Sequence, residues 1–171
     1  MLRGRLFTFL RWIVISLALA GRSEAQALDY DKALHLDAER LAETGIDKAY
    51  AKVLPELRRH VVQPAIVQEV IDPDAPRYAV RAFNREFVIY SPELPNDEYQ
   101  SWGAATYTFF KIINDQLSNT DVRFYALNNG NDLFGIFLTL EQAEAARRSL
   151  SKRTDWPYLP EAQGPWYGQY H

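Results

Sequence analysis

The side chains able to do chemistry are few and scattered. Histidine is the usual general base and metal ligand near neutral pH, and only His35, His60 and His171 occur. No two of them stand at i, i+4, and no H-E-x-x-H is present. A three-histidine zinc site would need all three to converge, including the last residue of the chain. There is no cysteine, which removes disulfides, thiolate zinc sites, iron–sulfur clusters and thiol nucleophiles together. No G-x-S-x-G elbow supports a hydrolase serine, and no glycine-rich phosphate cradle occurs. These residues lead to no assignment of a catalytic group, a metal or a cofactor.

Carboxylates remain. Asp97 with Glu98 and Asp72 with Asp74 are the best local pairs, and both stand where helix caps and turns place acids. Glycoside chemistry can draw its two carboxyls from distant parts of a chain, ~5–10 Å apart. A cleft built from Asp97, Glu98 or Asp132 is therefore an alternative to be tested by structure.

Two segments are candidates for binding. Asn128-Asn129-Gly130-Asn131-Asp132 lies between two apolar runs, and Asn-Gly there predicts a hairpin turn whose central residues have positive φ. Asn129, Asn131 and Asp132 are its candidate ligand contacts; one carboxylate is too few for a calcium loop. The second segment is the C-terminal stretch from Asp155. It carries Trp156, Tyr158, Trp166, Tyr167 and Tyr170, with Pro157, Pro160 and Pro165 barring regular helix. It reads either as an arm folded back to bury its rings, or as an aromatic platform for a partner or a sugar.

The elements that must position these residues follow from periodicity. Tyr30, Ala33, Leu34, Ala38, Leu41 and Ala42 predict a helix ending at Thr44-Gly45. Ile46 through Val61 predict a second, kinked or broken at Pro55. The two form a helical hairpin that needs another surface to pack on. Ala65–Val70, Arg77–Phe83 and Glu86–Tyr90 predict strands, with Asn84-Arg85 as a tight turn. Asp97 and Gln100 predict a capping box opening a long helix striped by Trp102, Thr106, Phe109, Ile113 and Leu117. Trp102 is expected in the core. Val122–Leu127 and Leu133–Leu138 predict two more strands. Thr139 with Gln142 predicts a capped final helix through about Leu150. The order predicts an α+β fold, with a mainly antiparallel sheet of about five strands crossed by the long helix. It argues against a doubly wound nucleotide-binding fold, which needs strict β-α-β alternation.

Residues 1–27 read as a secretory signal. Arg3, Arg5 and Arg11 precede the apolar run Trp12 to Ala20, too short for a membrane span. Cleavage is expected before Leu28 or Gln26. Removal takes four arginines and one glutamate and moves the formal charge from −3 to about −6. No stable span is expected afterwards, and an acidic chain does not favour nucleic acid. The remaining residues, 28–171, are expected to be one domain with an aromatic arm over 151–171. Periplasmic or secreted localisation is expected.

Three functions fit. The first is a small non-catalytic binding protein, such as an immunity- or inhibitor-like partner of another protein, since acidic surfaces steer basic partners. The second is a small cell-envelope enzyme or saccharide-binding domain using carboxylates and the C-terminal aromatics. The third is an envelope scaffold that binds through a sheet edge.

Overall fold

The computed structural model describes residues 28–94, 98–128 and 130–163. In chain order the elements are β1 (Leu34–His35), α1 (Ala38–Ala42), α2 (Ile46–Leu57), β2 (Gln68–Asp72), β3 (Arg77–Ala82), β4 (Arg85–Tyr90), α3 (Glu98–Gln116), β5 (Val122–Leu127), β6 (Phe134–Thr139) and α4 (Leu140–Ser149). Among the described residues the fold is α+β: four helices and two three-stranded antiparallel sheets, ordered β1-β6-β5 and β2-β3-β4. The expected signal segment 1–27, Asp97 of the expected capping box, and Trp166, Tyr167 and Tyr170 lie outside the described residues.

The expected single sheet of about five strands is corrected to two. β4 packs against α3 rather than pairing with β5. Strand propensity marks which runs are extended, while pairing is decided by what covers each edge. Here the outer edge of β5 is occupied by other groups. The Asn114 side chain accepts from Phe124 N at 2.8 Å and donates to Phe124 O at 2.9 Å. Two residues on, Ala126 and Tyr158 exchange backbone hydrogen bonds of 2.8 and 3.0 Å. A scaffold docking on this edge would find it sealed.

The expected first helix is also corrected. Its span divides into a 3-10 turn Tyr30–Lys32, the two-residue β1, and α1. Asp37 starts α1, its carboxylate accepting from Arg40 N at 3.0 Å. Upstream, β1 pairs with Phe134 and Gly135, and Leu36 N donates to Leu133 O at 2.8 Å. Pairing with β6 satisfies backbone groups that a helix would otherwise satisfy, and long-range contact overrides a helical period. Between α1 and α2 the left-handed residue is Thr44, with φ 65°, rather than Gly45. α2 runs on through Pro55 to Leu57, although Pro55 has no N–H to donate one turn back.

The turns differ in detail. The β3–β4 connection is Phe83-Asn84, not Asn84-Arg85, with φ 53° and 58°. Both values are those of a type I′ turn, which suits the twist of paired strands. Between β5 and β6 the chain makes a longer loop containing a 3-10 turn, Gly130–Asp132, instead of a two-residue hairpin. Thr139 and Gln142 do form the capping box of α4.

The core is continuous around α3, which touches α1, α2, β4 and β5. Phe109, Phe110, Ile112 and Ile113 meet Tyr78, Val80 and Ile89 from one sheet and Phe124 and Ala126 from the other. Trp102 is only partly buried against it. Phe110 stacks on Phe124 with centroids 4.9 Å apart, and Phe124 meets Phe137 at 4.7 Å. A second, smaller core lies on the opposite face of β5 and β6, where Tyr125, Ile136 and Leu138 pack on Ala143 and Ala146 of α4 and on Leu28.

Polar side chains lock this packing. Glu69 of β2 accepts from Ile46 N at 2.8 Å, Asp47 N at 3.3 Å and the Tyr78 hydroxyl at 2.7 Å. It therefore caps α2, whose N-cap Gly45 has no side chain to do so. Burial, then the Glu69 carboxylate, push the Tyr78 hydroxyl above the usual tyrosine range. On the outer face of the same sheet, Glu86 lies between Arg77 and Arg81, which hold its carboxyl below the usual range.

Two outcomes are expected. Glu69→Ala should cost about 2 kcal/mol by chemical denaturation, combining a lost cap with an unpaired buried hydroxyl. Glu69→Ala with Tyr78→Phe should cost less than the sum of the two single changes. Gly135→Ala places a methyl inside the Phe124 ring, so it should cost about 1–3 kcal/mol, with Phe124→Leu in the same chain recovering part of the loss.

Candidate functional site

Of the site residues predicted from the sequence, the structure describes Asn131, Asp132, Trp156 and Tyr158. Asn131 and Asp132 are exposed on the 3-10 turn beside α1, and Asn129 lies outside the described residues. Trp156 is partly buried and donates from its indole nitrogen to Leu150 O at 3.0 Å. Tyr158 is 1% exposed and belongs to the main core. Its hydroxyl donates to Asn128 O at 2.8 Å, and burial raises its pKa above the usual tyrosine range. Arg147 of α4 holds the arm from outside, donating twice to Pro157 O at 3.0 and 2.7 Å. At Tyr158 the chain straps across β5.

A cavity lies elsewhere. A groove of about 670 Å³ runs between the 3-10 turn Tyr30–Lys32, the C-terminal half of α2 and β6. That volume is within the range of small-ligand sites. One wall is the α2 face carrying Lys52, Pro55, Glu56 and Arg59, which helical spacing sets on one side. The opposite wall is Leu28, Asp29, Lys32 and Leu34. The floor is β6 from Ile136 to Thr139, with Val122 and Gln142 at one end. His60 closes the α2 side, its ring stacked on Phe137 at 5.7 Å and 25°. An aromatic series thus runs from Phe110 in the core through Phe124 and Phe137 to His60 at the groove.

The charge in the groove is mixed and locally basic. Asp29 pairs with Lys32 at 3.0 Å, and Glu56 with Arg59 at 2.9 Å. Glu56 also lies 3.9 Å from His60 Nε2. Lys52 is exposed and makes no ion pair among the described residues. The lining therefore holds three full cations against two carboxylates, on a chain whose formal charge is −3.

Of the acids singled out in the sequence, neither Glu98 nor Asp132, Asp72 or Asp74 lines the groove. Among the described residues no three of His, Asp and Glu are grouped to hold a metal ion, and no helix is long and apolar enough to cross a membrane. The chain matches no family model, no curated protein and no solved structure, so the groove is weighed on its own geometry.

The groove was missed in the sequence because its residues come from three distant segments. The one legible trace is the spacing of Lys52, Glu56 and Arg59, a polar stripe beside Pro55 on a helix that otherwise buries Ile46, Ala49, Tyr50, Val53 and Leu57.

The strap reading makes a direct prediction. Tyr158→Ala should cost about 3–5 kcal/mol, as for other buried aromatics. Tyr158→Phe keeps the ring and should cost only about 1 kcal/mol. Because the folded-state pKa of Tyr158 is raised, its contribution is complete below the ordinary tyrosine pKa and is lost as pH rises above it. Alkaline unfolding followed by circular dichroism should therefore begin at higher pH in Tyr158→Phe than in the parent, once each is referred to its own neutral stability.

Proposed function

We propose that this protein is an exported, non-catalytic binding module whose ligand lies in the groove between α2 and β6. The observation that carries the reading is the groove itself: a cleft of ligand size with an apolar floor and a basic rim. Its two carboxylates are each held by a neighbouring cation, an arrangement suited to shaping a rim rather than to moving protons. Export is supported by the basic and then apolar order of residues 1–20 and by the small residues Ala25 and Ala27. Leu28 fits this reading, since its side chain is buried beneath α4 and anchors the chain directly after the proposed cleavage point. The ligand belongs to a protein partner or to a cell-envelope saccharide, and nucleic acid is disfavoured by the acidic chain.

Expression in a secreting bacterium should give a periplasmic or secreted product whose N-terminal sequencing begins at Leu28 or Gln26. A product retained uncleaved in the membrane overturns the export part. In nuclear magnetic resonance titrations with envelope glycan fragments and with short peptides, at least one class should shift Lys52, His60 and Phe137 while leaving Arg81 on the far sheet unmoved. Turnover of the added compound, or shifts confined to Asn131 and Asp132, would sink the reading.

A further inference from the structure

β6 is only half covered along its groove side. β1 pairs with Phe134 and Gly135 and goes no further. Had β1 continued, Lys32 would face Phe137. Instead the chain turns away, and Lys32 N is spent on Asp29 O at 3.1 Å within the 3-10 turn. The ladder shows which way the Phe137 backbone points. Phe124 and Phe137 are partners in the β5–β6 register. Phe124 turns its N–H and C=O away from β6, toward Asn114. In an antiparallel pair the partner of such a residue turns its own polar groups outward on the other side. The Phe137 N–H and C=O therefore face the groove. Next along β6, Thr139 N is already taken by Gln142 at 2.8 Å.

We infer that the groove takes an extended peptide segment of a partner protein as an added strand on β6, hydrogen-bonded to the Phe137 backbone, with a carboxylate of the peptide meeting Lys52. This rests on the groove being the ligand site and names what fills it. The protein itself uses the same device on the opposite edge of this sheet, where Tyr158 docks on Ala126 through two backbone hydrogen bonds. Strand addition of this kind draws affinity from main-chain bonds and selectivity from the side chains beside them. Selectivity here is for acidic sequence. Lys52 makes no ion pair among the described residues, and Arg59 beside it and Lys32 across the groove add to the basic lining. A saccharide lacks the regularly spaced backbone N–H and C=O groups that continue a strand ladder.

The test uses the full chain and two synthetic probes, a short peptide alternating glutamate with valine and its lysine-for-glutamate counterpart. The acidic peptide should bind and the basic one should not. Binding should slow amide hydrogen exchange at Phe137 by about tenfold or more, while leaving Ala126 unchanged. Lys52→Glu, an exposed change that leaves the fold intact, should weaken the acidic peptide about fivefold to tenfold by removing the rim attraction. Arg81→Glu on the far sheet should leave binding unaltered. If peptides shift Lys52 and His60 without protecting Phe137, strand addition is wrong and the groove remains a ligand site. If glycan fragments bind there and peptides do not, the occupant is wrong. If the Phe137 amide is already protected in the chain alone, its own residues fill the edge and the inference falls. If neither peptides nor glycans touch the groove, the underlying reading falls with it.

Discussion

The last turn of α3 holds the structure together. Three half-buried polar side chains bond there, beside the apolar core. Asn114 pairs with the backbone of Phe124 and so fixes α3 against β5. Gln116 accepts from Ala65 N at 2.7 Å and lies 3.2 Å from the Tyr50 hydroxyl, joining α3 to α2 and to the segment that leads into β2. Arg123 reaches back from β5 to donate to Leu117 O and Thr120 O, both at 2.8 Å, placing a positive charge at the negative end of the helix. Without cysteine no covalent link constrains the unfolded chain. Directional bonds of this kind add the specificity that hydrophobic burial lacks.

That junction explains why there are two sheets. Asn114 and Tyr158 take the hydrogen-bonding groups on the outer edge of β5, so β4 cannot extend the sheet there. α3 then lies against both sheets, and the aromatic rings from Phe110 to His60 carry packing from the helix to the groove. Gly135 is part of the same arrangement, since only a residue without Cβ lets the Phe124 ring lie across β6. One edge of the β1-β6-β5 sheet is closed by the protein's own groups. The other is closed for two residues and then left open beside a basic wall.

Much of the fold was legible in local patterns. Thr139 and Gln142 announce α4, and Val122–Leu127 and Arg77–Ala82 stand close to where strand propensity places them. The failures share a cause. Tyr30 to Ala42 has a helical period, yet Leu34–His35 is drawn out by pairing with residues a hundred positions later in the chain. The Asn-Gly pair promises a tight hairpin, yet β5 and β6 are joined by a longer loop with a 3-10 turn, in which Asn128 and Gly130 are left-handed among the described residues. The C-terminal aromatics read as a folded-back arm ahead of a binding platform, and Tyr158 is buried against Ala126.

By itself the sequence determined the class of fold, the capping box of α4, the absence of cysteine chemistry and the acidic character of the chain. These depend on residue type and on neighbours within a few positions. Tertiary structure decided how the strands divide into two sheets, that Glu69 caps a helix it is far from in sequence, and that Lys52, His60 and Phe137 border one groove. Those outcomes depend on contacts between distant segments, and a contact of that kind leaves no period in a single sequence. The open edge at Phe137 is the clearest case. It arises from where β1 stops, and β1 stops because the chain ahead of it closes a 3-10 turn instead.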